Sequence, residues 1–451
     1  MRFVVSTIGT SILTNSIDRT TEGDWHRILA DSANLKENEL LDDPKKVIGE
    51  LAERAREKLS GNDVGTHRRA SAELNGIYGI YGGTLPEQNA DQHYLICTDT
   101  FQGQITGNLI KAFLQGKGFE IDIFVPPSLS TKDTNSFTDG TKELITWLED
   151  NVPRQRDSGY QVIFNLVGGF KSLQGYMQTF GAFYADETVY IFERSSDLIK
   201  IPRLPIQIDT TEIQQYRAQF AMMEAEALCQ TTKVTGVDNI SKTLLYIMED
   251  NSTIYVGLSA WGMLIWNRTK EDLLENDISM IQDNLPKSAQ TQLALMDAGK
   301  QYPKTEIDRD IPDALLESVY VNGVLCAKLS VWGKSVWNKA KRDLLGRKNR
   351  LLPFPRLQYQ DAFIDDFENR NTNDQRCKLQ ETLGKVAYLL DKYSGNTAEL
   401  NADGGLQYNR YNNTDIDHFR VNGGRRVSCR AQGGNLILRH CGAHDYVNDN
   451  P

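Results

Sequence analysis

At 451 residues the chain is too long for a single hydrophobic core, and two or three domains are expected. Its 40% hydrophobic and 24% charged residues are those of an ordinary soluble protein, and a net charge of -10 argues against coating nucleic acid by bulk charge, so any RNA contact must be local. Six scattered cysteines with no C-x-x-C pair, no bilayer-length apolar run and no recognisable leader lead us to expect a cytoplasmic chain with reduced thiols, no metal and no membrane contact.

In chain order, Arg2 to Ser6 reads as a buried strand, with Gly9, Thr10 and Ser11 at its carboxyl end, where open parallel sheets bind ligands. Lys45 to Lys58 is an amphipathic helix with a solvated charged face, and Arg68 to Leu74 starts another. His93 to Thr98 reads as the next strand and delivers Thr98 and Thr100 to its end, before a helix from Ile105 to Leu114. A strand from Phe119 to Val125 and a helix from Thr141 to Leu148 follow.

The stretch Ile163 to Glu193, IFNLVGGFKSLQGYMQTFGAFYADETVYIFE, is a βαβ unit. An apolar run ends in Asn165, Gly168 and Gly169 form a turn, and Phe170, Leu173, Met177 and Phe180 recur at helical spacing. Thr188 to Phe192 is then a second strand. The two glycines let a ligand approach the main chain, and the first helical amides with Lys171 offer a phosphate site. From these features alone, close packing of the helix on the strand is an equal alternative, and the dinucleotide pattern G-x-G-x-x-G is absent. The alternation as a whole predicts a doubly wound parallel sheet.

This segment, together with FVVSTIGTSILTN (Phe3 to Asn15), resembles the CRISPR-associated Rossmann-fold (CARF) domain over residues 1–205. The resemblance implies a Rossmann-like α/β domain that binds one cyclic oligoadenylate ring, cyclic tetra-adenylate by preference, across a homodimer. Thr10, Ser11, Thr98, Thr100, Asn165, Gly168, Gly169 and Lys171 would contact it.

Past Pro202 and Pro205 the alternation stops, and Thr211 to Gln230 reads as one long helix. LSAWGMLIWNRTKEDLL (Leu258 to Leu274) recurs as LSVWGKSVWNKAKRDLL (Leu329 to Leu345) with ten of seventeen positions identical, an internal repeat. Each copy follows a short β-like run, so residues 206–350 are expected to form a mainly helical, winged-helix-like connector. Its tryptophans, Trp261, Trp266, Trp332 and Trp337, read as anchors of two duplicated cores in preference to a docking surface. Leu351 to Arg356 reads as a linker. Two helices, Gln360 to Arg370 and Gln375 to Tyr393, then precede strand-like runs at Ile416 to Val421, Arg425 to Ala431 and Asn435 to His440, which gives a small α+β domain at 351–451.

Three of the six histidines, His418, His440 and His444, fall in this domain's last strands and tail beside Arg420, Arg425, Arg426, Arg430 and Arg439, with no acidic residue between His418 and His444. Cleaving RNA without metal requires a base for the 2'-hydroxyl, fixed positive charge for the pentavalent phosphate and an acid for the 5'-oxygen, which histidine and arginine supply. An exposed basic hairpin with incidental histidines is the bland alternative.

HFRVNGGRRVSCRAQGGNLILRHCGAHDYV is similar to the C-terminal half of RelE-type mRNA-cleaving toxins. The resemblance implies that Arg426 is the arginine of the family's turn motif, Arg420 a basic strand residue, His444 the basic residue of the terminal motif and Tyr446 a tyrosine that stacks on a base. Asn422 stands where many members carry a basic residue, which leaves His418 as the local candidate for the general base. Arg439 to His444 also spells the R-x4-H of HEPN ribonucleases, but that motif needs a helix and NLILRH is strand-like.

The resemblances together imply a cyclic tetra-adenylate-activated, metal-independent endoribonuclease of type III CRISPR immunity that cleaves A-site mRNA on the ribosome, with no cofactor besides the activator. The alternatives are a HEPN-type ribonuclease acting on free RNA and a ligand-gated regulator of DNA or protein without enzymatic activity.

Overall fold

Phe3, Val4 and Val5 are fully buried, and they set strand β1 (Arg2–Thr7) in the middle of a six-stranded sheet. A computed structural model describes residues 1–451 apart from 88–89, 193–196 and 206–207. Glu193, at the end of the βαβ stretch, and residue 206, the expected start of the connector, lie outside the described residues. The sheet order is β3-β2-β1-β4-β5-β6. β2 (Gln92–Ile96), β3 (Glu120–Phe124), β4 (Gln161–Asn165) and β5 (Glu187–Ile191) run parallel to β1.

The sheet is not parallel throughout, because β6 (Leu198–Pro202) pairs antiparallel with β5. Only six residues, 192–197, separate the two strands. That is enough for a return turn and too few for a crossover.

One face of the sheet is covered by α1 (Ser11–Thr14), α2 (Trp25–Asp31), α3 (Asp42–Ser60), α4 (Val64–Ala70), α5 (Ala72–Ile80) and α6 (Phe101–Gly116). The other carries α7 (Thr134–Asp157) and α8 (Lys171–Tyr184), packed on Phe3, Val5, Val162 and Phe164. Arg68 to Leu74 is not one helix start. Ser71 closes α4 and its hydroxyl accepts from the Leu74 amide at 3.2 Å to cap α5, the role serine's short oxygen favours.

The chain forms two compact units, Met1–Asp209 with Ser259–Leu264, and Thr210–Leu258 with Ile265–Pro451. In the second unit the long helix expected from Thr211 to Gln230 is α9 (Thr211–Gln215) and α10 (Arg217–Glu226), and it ends where Ala227 turns to φ +59. The repeat proves longer than its identities. A helix, a two-residue strand, short 3-10 turns, a hairpin and a long helix occur twice in that order. The first copy is α10, β7 (Cys229–Gln230), β8 (Leu245–Asp250), β9 (Thr253–Leu258) and α11 (Ala260–Asn284). The second is α12 (Lys287–Asp297), β10 (Tyr302–Pro303), β11 (Leu316–Val321), β12 (Val324–Leu329) and α13 (Val331–Gly346).

The sheets are ordered β7-β9-β8 and β10-β12-β11, so each copy of this mainly helical region also builds a three-stranded sheet beside its helix. Asn251-Ser252 and Asn322-Gly323 take positive φ at the hairpin tips, the turn that matches strand twist. Ser259 and Ser330 cap the long helices alike, accepting from Gly262 at 3.0 Å and Gly333 at 2.9 Å. Where a DNA-reading winged helix presents its recognition helix, the copies have three-residue turns such as Lys242–Leu244 and Asp313–Leu315. Trp266 and Trp337 are each 1% exposed and Trp332 is buried, so these three are core residues. Trp261 itself belongs to the first unit, where it stacks on Tyr176 with ring centroids 5.0 Å apart.

Leu351 to Arg356 is no exposed linker. Leu352 and Phe354 are buried, and Gln380 accepts the Leu352 amide at 2.8 Å while donating to the Leu345 carbonyl at 2.7 Å. After it come β13 (Leu357–Tyr359), α14 (Asp361–Asn369), α15 (Asn373–Lys392), α16 (Ala398–Asn401), β14 (Asn409–Arg410), β15 (Asp417–Asn422), β16 (Arg425–Gln432), β17 (Asn435–Ala443) and α17 (His444–Asp449). They form a five-stranded sheet, β13-β17-β16-β15-β14, antiparallel except at β13–β17. The residues expected as connector and as terminal domain share this unit, α15 packing on α12 and α13. All six cysteines are buried and unpaired. Among the described residues no helix is long and apolar enough to cross a membrane.

Candidate functional site

The first unit has a crevice where its strand order reverses, between the carboxyl ends of β1 and β4. The loops after these strands touch. A Cβ on Gly9 would lie 2.9 Å from the Gly169 amide, Thr7 Oγ1 donates to the Gly168 carbonyl at 2.6 Å, and Gly169 sits at φ +102, which glycine alone adopts freely.

Beneath them lies a carboxylate that sequence reasoning missed. Glu73 of α5 is fully buried; its Oε1 accepts the Gly9 amide at 2.7 Å and its Oε2 accepts the hydroxyls of Ser11 at 3.0 Å and Ser71 at 2.6 Å. Gly168 has no room for a side chain, since a Cβ would stand 2.0 Å from Glu73 Oε1. An acid inside the apolar helix Ala72–Ile80 was the available signal.

The eight predicted contacts divide accordingly. Asn165 is fully buried and donates to Ser6 Oγ at 3.2 Å and the Glu73 carbonyl at 3.1 Å, which ties β4 to α5. Thr98 and Thr100 are buried with hydroxyls 2.9 Å apart, and Thr100 caps α6 by accepting from Gly103. Gly168 is buried above Glu73. Thr10 and Ser11 are half-buried, Gly169 lies at the loop surface, and Lys171 is exposed at the first position of α8, beside the helix amides that lack intrahelical partners.

In the second unit, register places the chemistry. Arg420 of β15 faces Arg426 of β16, which faces Gly442 of β17; one row along, His418 faces Ser428, which faces His440. These six share one face of the sheet, while Phe419, Val427 and Cys441 point into the core on the other. α17 folds back over this face, so that a Cβ on Gly442 would lie 3.0 Å from the Tyr446 ring.

Asn448 of α17 gathers two predicted residues, Arg426 and His444, and a third, Tyr411, that was not predicted. Its Oδ1 accepts from Arg426 at 3.3 Å and from Tyr411 at 2.9 Å, and its amide nitrogen lies 3.2 Å from His444 Nδ1. His444 Nδ1 is also 2.8 Å from Asp445. The Tyr411 ring stands edge-on to His418 with centroids 4.4 Å apart. Burial, then the neighbouring Arg426 charge, lowers the His418 pKa from its ordinary value, so that imidazole is neutral at neutral pH. Neither Arg420 nor Arg426 has a carboxylate partner among the described residues. Like charges directly opposite on adjacent strands are unfavourable, and an anion between them relieves the cost.

Tyr446 belongs to a second cluster, with its hydroxyl 2.8 Å from Asp366 Oδ1 and the Arg370 guanidinium 4.3 Å above its ring. Burial, then Asp366, raises its pKa. Asp366, His440, Tyr411, Asn448 and Ser428 were not among the predicted site residues. Tyr411 and Asn448 carried no local signal, and Asp366 precedes its partner by 74 residues. The R-x4-H run lies on β17, with Arg439 in the strand and His444 opening α17, and so lacks the helix that HEPN chemistry requires.

Residues 68–204, from α4 through β6 and including Glu73, Asn165 and the Gly168-Gly169 turn, match the family model described as CRISPR-associated protein (Cas_APE2256), and this part of the chain is similar to that CRISPR-associated family.

Proposed function

We propose that the chain is a cyclic oligoadenylate-activated, metal-independent endoribonuclease of type III CRISPR immunity, acting in the cytoplasm on A-site mRNA of the ribosome. The CRISPR-associated match over residues 68–204 and the resemblance to CARF domains support the sensor half. In this reading a ring, cyclic tetra-adenylate by preference, lies across the β1–β4 crevices of a homodimer. Gly169, Thr10, Ser11 and Lys171 line it, and Asn165, Thr98, Thr100 and Gly168 hold the loops that do so. Binding shifts the population toward a state with a competent nuclease, which requires higher affinity for that state.

The nuclease half rests on one observation above the rest: two arginines, Arg420 and Arg426, stand opposite each other without a carboxylate partner among the described residues, on the face that carries His418, and Asn448 links Arg426 to His444. Their guanidinium groups hold the scissile phosphate, His444 protonates the departing 5'-oxygen, His418 presents a neutral imidazole and Tyr446 flanks the base, leaving a 2',3'-cyclic phosphate.

The test is RNA cleavage with rings of four or six adenylates, with and without ribosomes. Ring-stimulated cleavage that requires ribosomes, and that Arg426→Ala or His444→Ala abolishes, is expected. Cleavage indifferent to both substitutions would overturn the nuclease assignment, and indifference to every ring would overturn the sensor.

A further inference from the structure

Resting on the nuclease reading above, we propose that His440 is the residue that takes the 2'-hydroxyl proton and that Asp366 is its positioning residue.

Asp366, on α14, is 2% exposed, and four donors converge on its carboxylate. Oδ1 accepts the Tyr446 hydroxyl at 2.8 Å and Arg370 Nε at 2.9 Å; Oδ2 accepts the Cys441 amide at 3.2 Å and lies 2.9 Å from His440 Nδ1. An ionised carboxylate only accepts, so His440 Nδ1 must carry the proton. The other ring nitrogen, Nε2, therefore bears a lone pair in the neutral ring. A buried carboxylate behind Nδ1–H fixes the tautomer and the ring's direction and steadies the imidazolium formed on proton uptake.

His440 is 22% exposed although its Nδ1 side is closed by Asp366 and by Tyr446, whose oxygen lies 3.3 Å away. Nε2 has no protein partner among the described residues. The ring shares the face of Arg426 and Gly442, and across the strand stands Ser428, whose buried hydroxyl has no partner either. His418, the base suggested by sequence, has no such support: among the described residues its Nδ1 is buried without a partner, and no carboxylate orients it.

In the proposed step the substrate's 2'-hydroxyl proton passes to His440 Nε2 while the 2'-oxygen forms its bond to phosphorus. The phosphorus–O5' bond breaks, and the leaving oxygen receives a proton from His444. Protons and electron pairs balance without a metal or any co-reactant.

His440→Asn is the informative substitution, because its side-chain amide still donates to Asp366 from the Nδ1 position but has no lone pair in place of Nε2. We expect kcat for ring-activated cleavage to fall ~10²–10⁴-fold with KM and thermal midpoint little changed, and His440→Ala to regain activity on addition of free imidazole. A His440→Asn chain that cleaves like wild type overturns the proposal and leaves the nuclease reading standing. Raised KM with kcat retained, or a His440→Ala chain that imidazole does not restore, assigns His440 to packing and also overturns it. A wild-type chain that cleaves no RNA overturns the nuclease reading and this proposal together.

Discussion

Glu73 Oε1 lies 2.7 Å from the Gly9 amide nitrogen, so a buried carboxylate on one helix holds the loop that closes β1. Glu73→Ala would strand this amide and the hydroxyls of Ser11 and Ser71, and we expect it to cost about 3 kcal/mol or more. Urea unfolding checks the loss, and ring titration of the folded fraction should show weaker binding. A variant as stable as wild type would mean that water replaces the carboxylate.

Trp332 Nε1 donates to Asp277 at 2.7 Å, and Arg217 closes a two-pronged bridge to the same carboxylate at 2.7 and 3.2 Å. Both partners of the bridge are largely buried, so Asp277→Ala leaves a guanidinium and an indole unanswered. The expected loss is about 3–5 kcal/mol, read as a lower denaturation midpoint of the second unit with a shift in tryptophan emission. Removing the Trp332 bond alone, by Trp332→Phe, should cost less.

His93 is fully buried, accepts no proton easily and has its pKa lowered by burial to about 4 from an ordinary 6.5. The unfolded chain therefore binds a proton below pH 6.5 that the folded chain refuses until about pH 4. Stability is fully present above the unfolded value and falls as pH drops through that window. At about 1.4 kcal/mol per pH unit the first unit should lose about 2 kcal/mol between pH 7 and 5. Denaturant unfolding at both pH values measures it, and His93→Gln should flatten the difference. An equal drop in the variant would assign the effect to other groups.

Arg426→Ala should separate stability from activity. It removes a like-charge neighbour of Arg420, so the fold should be unchanged or gain about 0.5 kcal/mol, while cleavage falls ~10²–10³-fold. Parallel loss of both would make Arg426 a structural residue.

Local pattern made the five parallel strands, the glycine turn, the duplicated tryptophan segment and the terminal meander legible, because alternation, turn chemistry and helical spacing are written over a few residues. Arg420 and His418 could be placed on one face for the same reason, since they stand two residues apart in an alternating strand, whereas Arg426 joins them only through the register of β15 with β16. Glu73 and Asp366 were not legible, because most of the groups each acts on lie 62 to 80 residues away and a buried acid looks like a solvated one until its donors are known. The two prolines of Leu351–Arg356 signalled a break in secondary structure, which is real, but not exposure, which depends on Gln380. The antiparallel β6 was missed because a polar hexapeptide hid a return strand.

Five of the six buried cysteines give the molecule a built-in clock for its own opening. Burial pushes the thiols of Cys229 and Cys377 up to about 11 and raises those of Cys97, Cys429 and Cys441 as well, so these five present almost no thiolate to an oxidant or alkylating reagent while the chain is folded. Each sulfur becomes reactive only when its own segment loosens. Cys97 times the first unit, while Cys429 and Cys441 time the histidine-bearing sheet, so stopped-flow alkylation can follow the opening of each without adding a label.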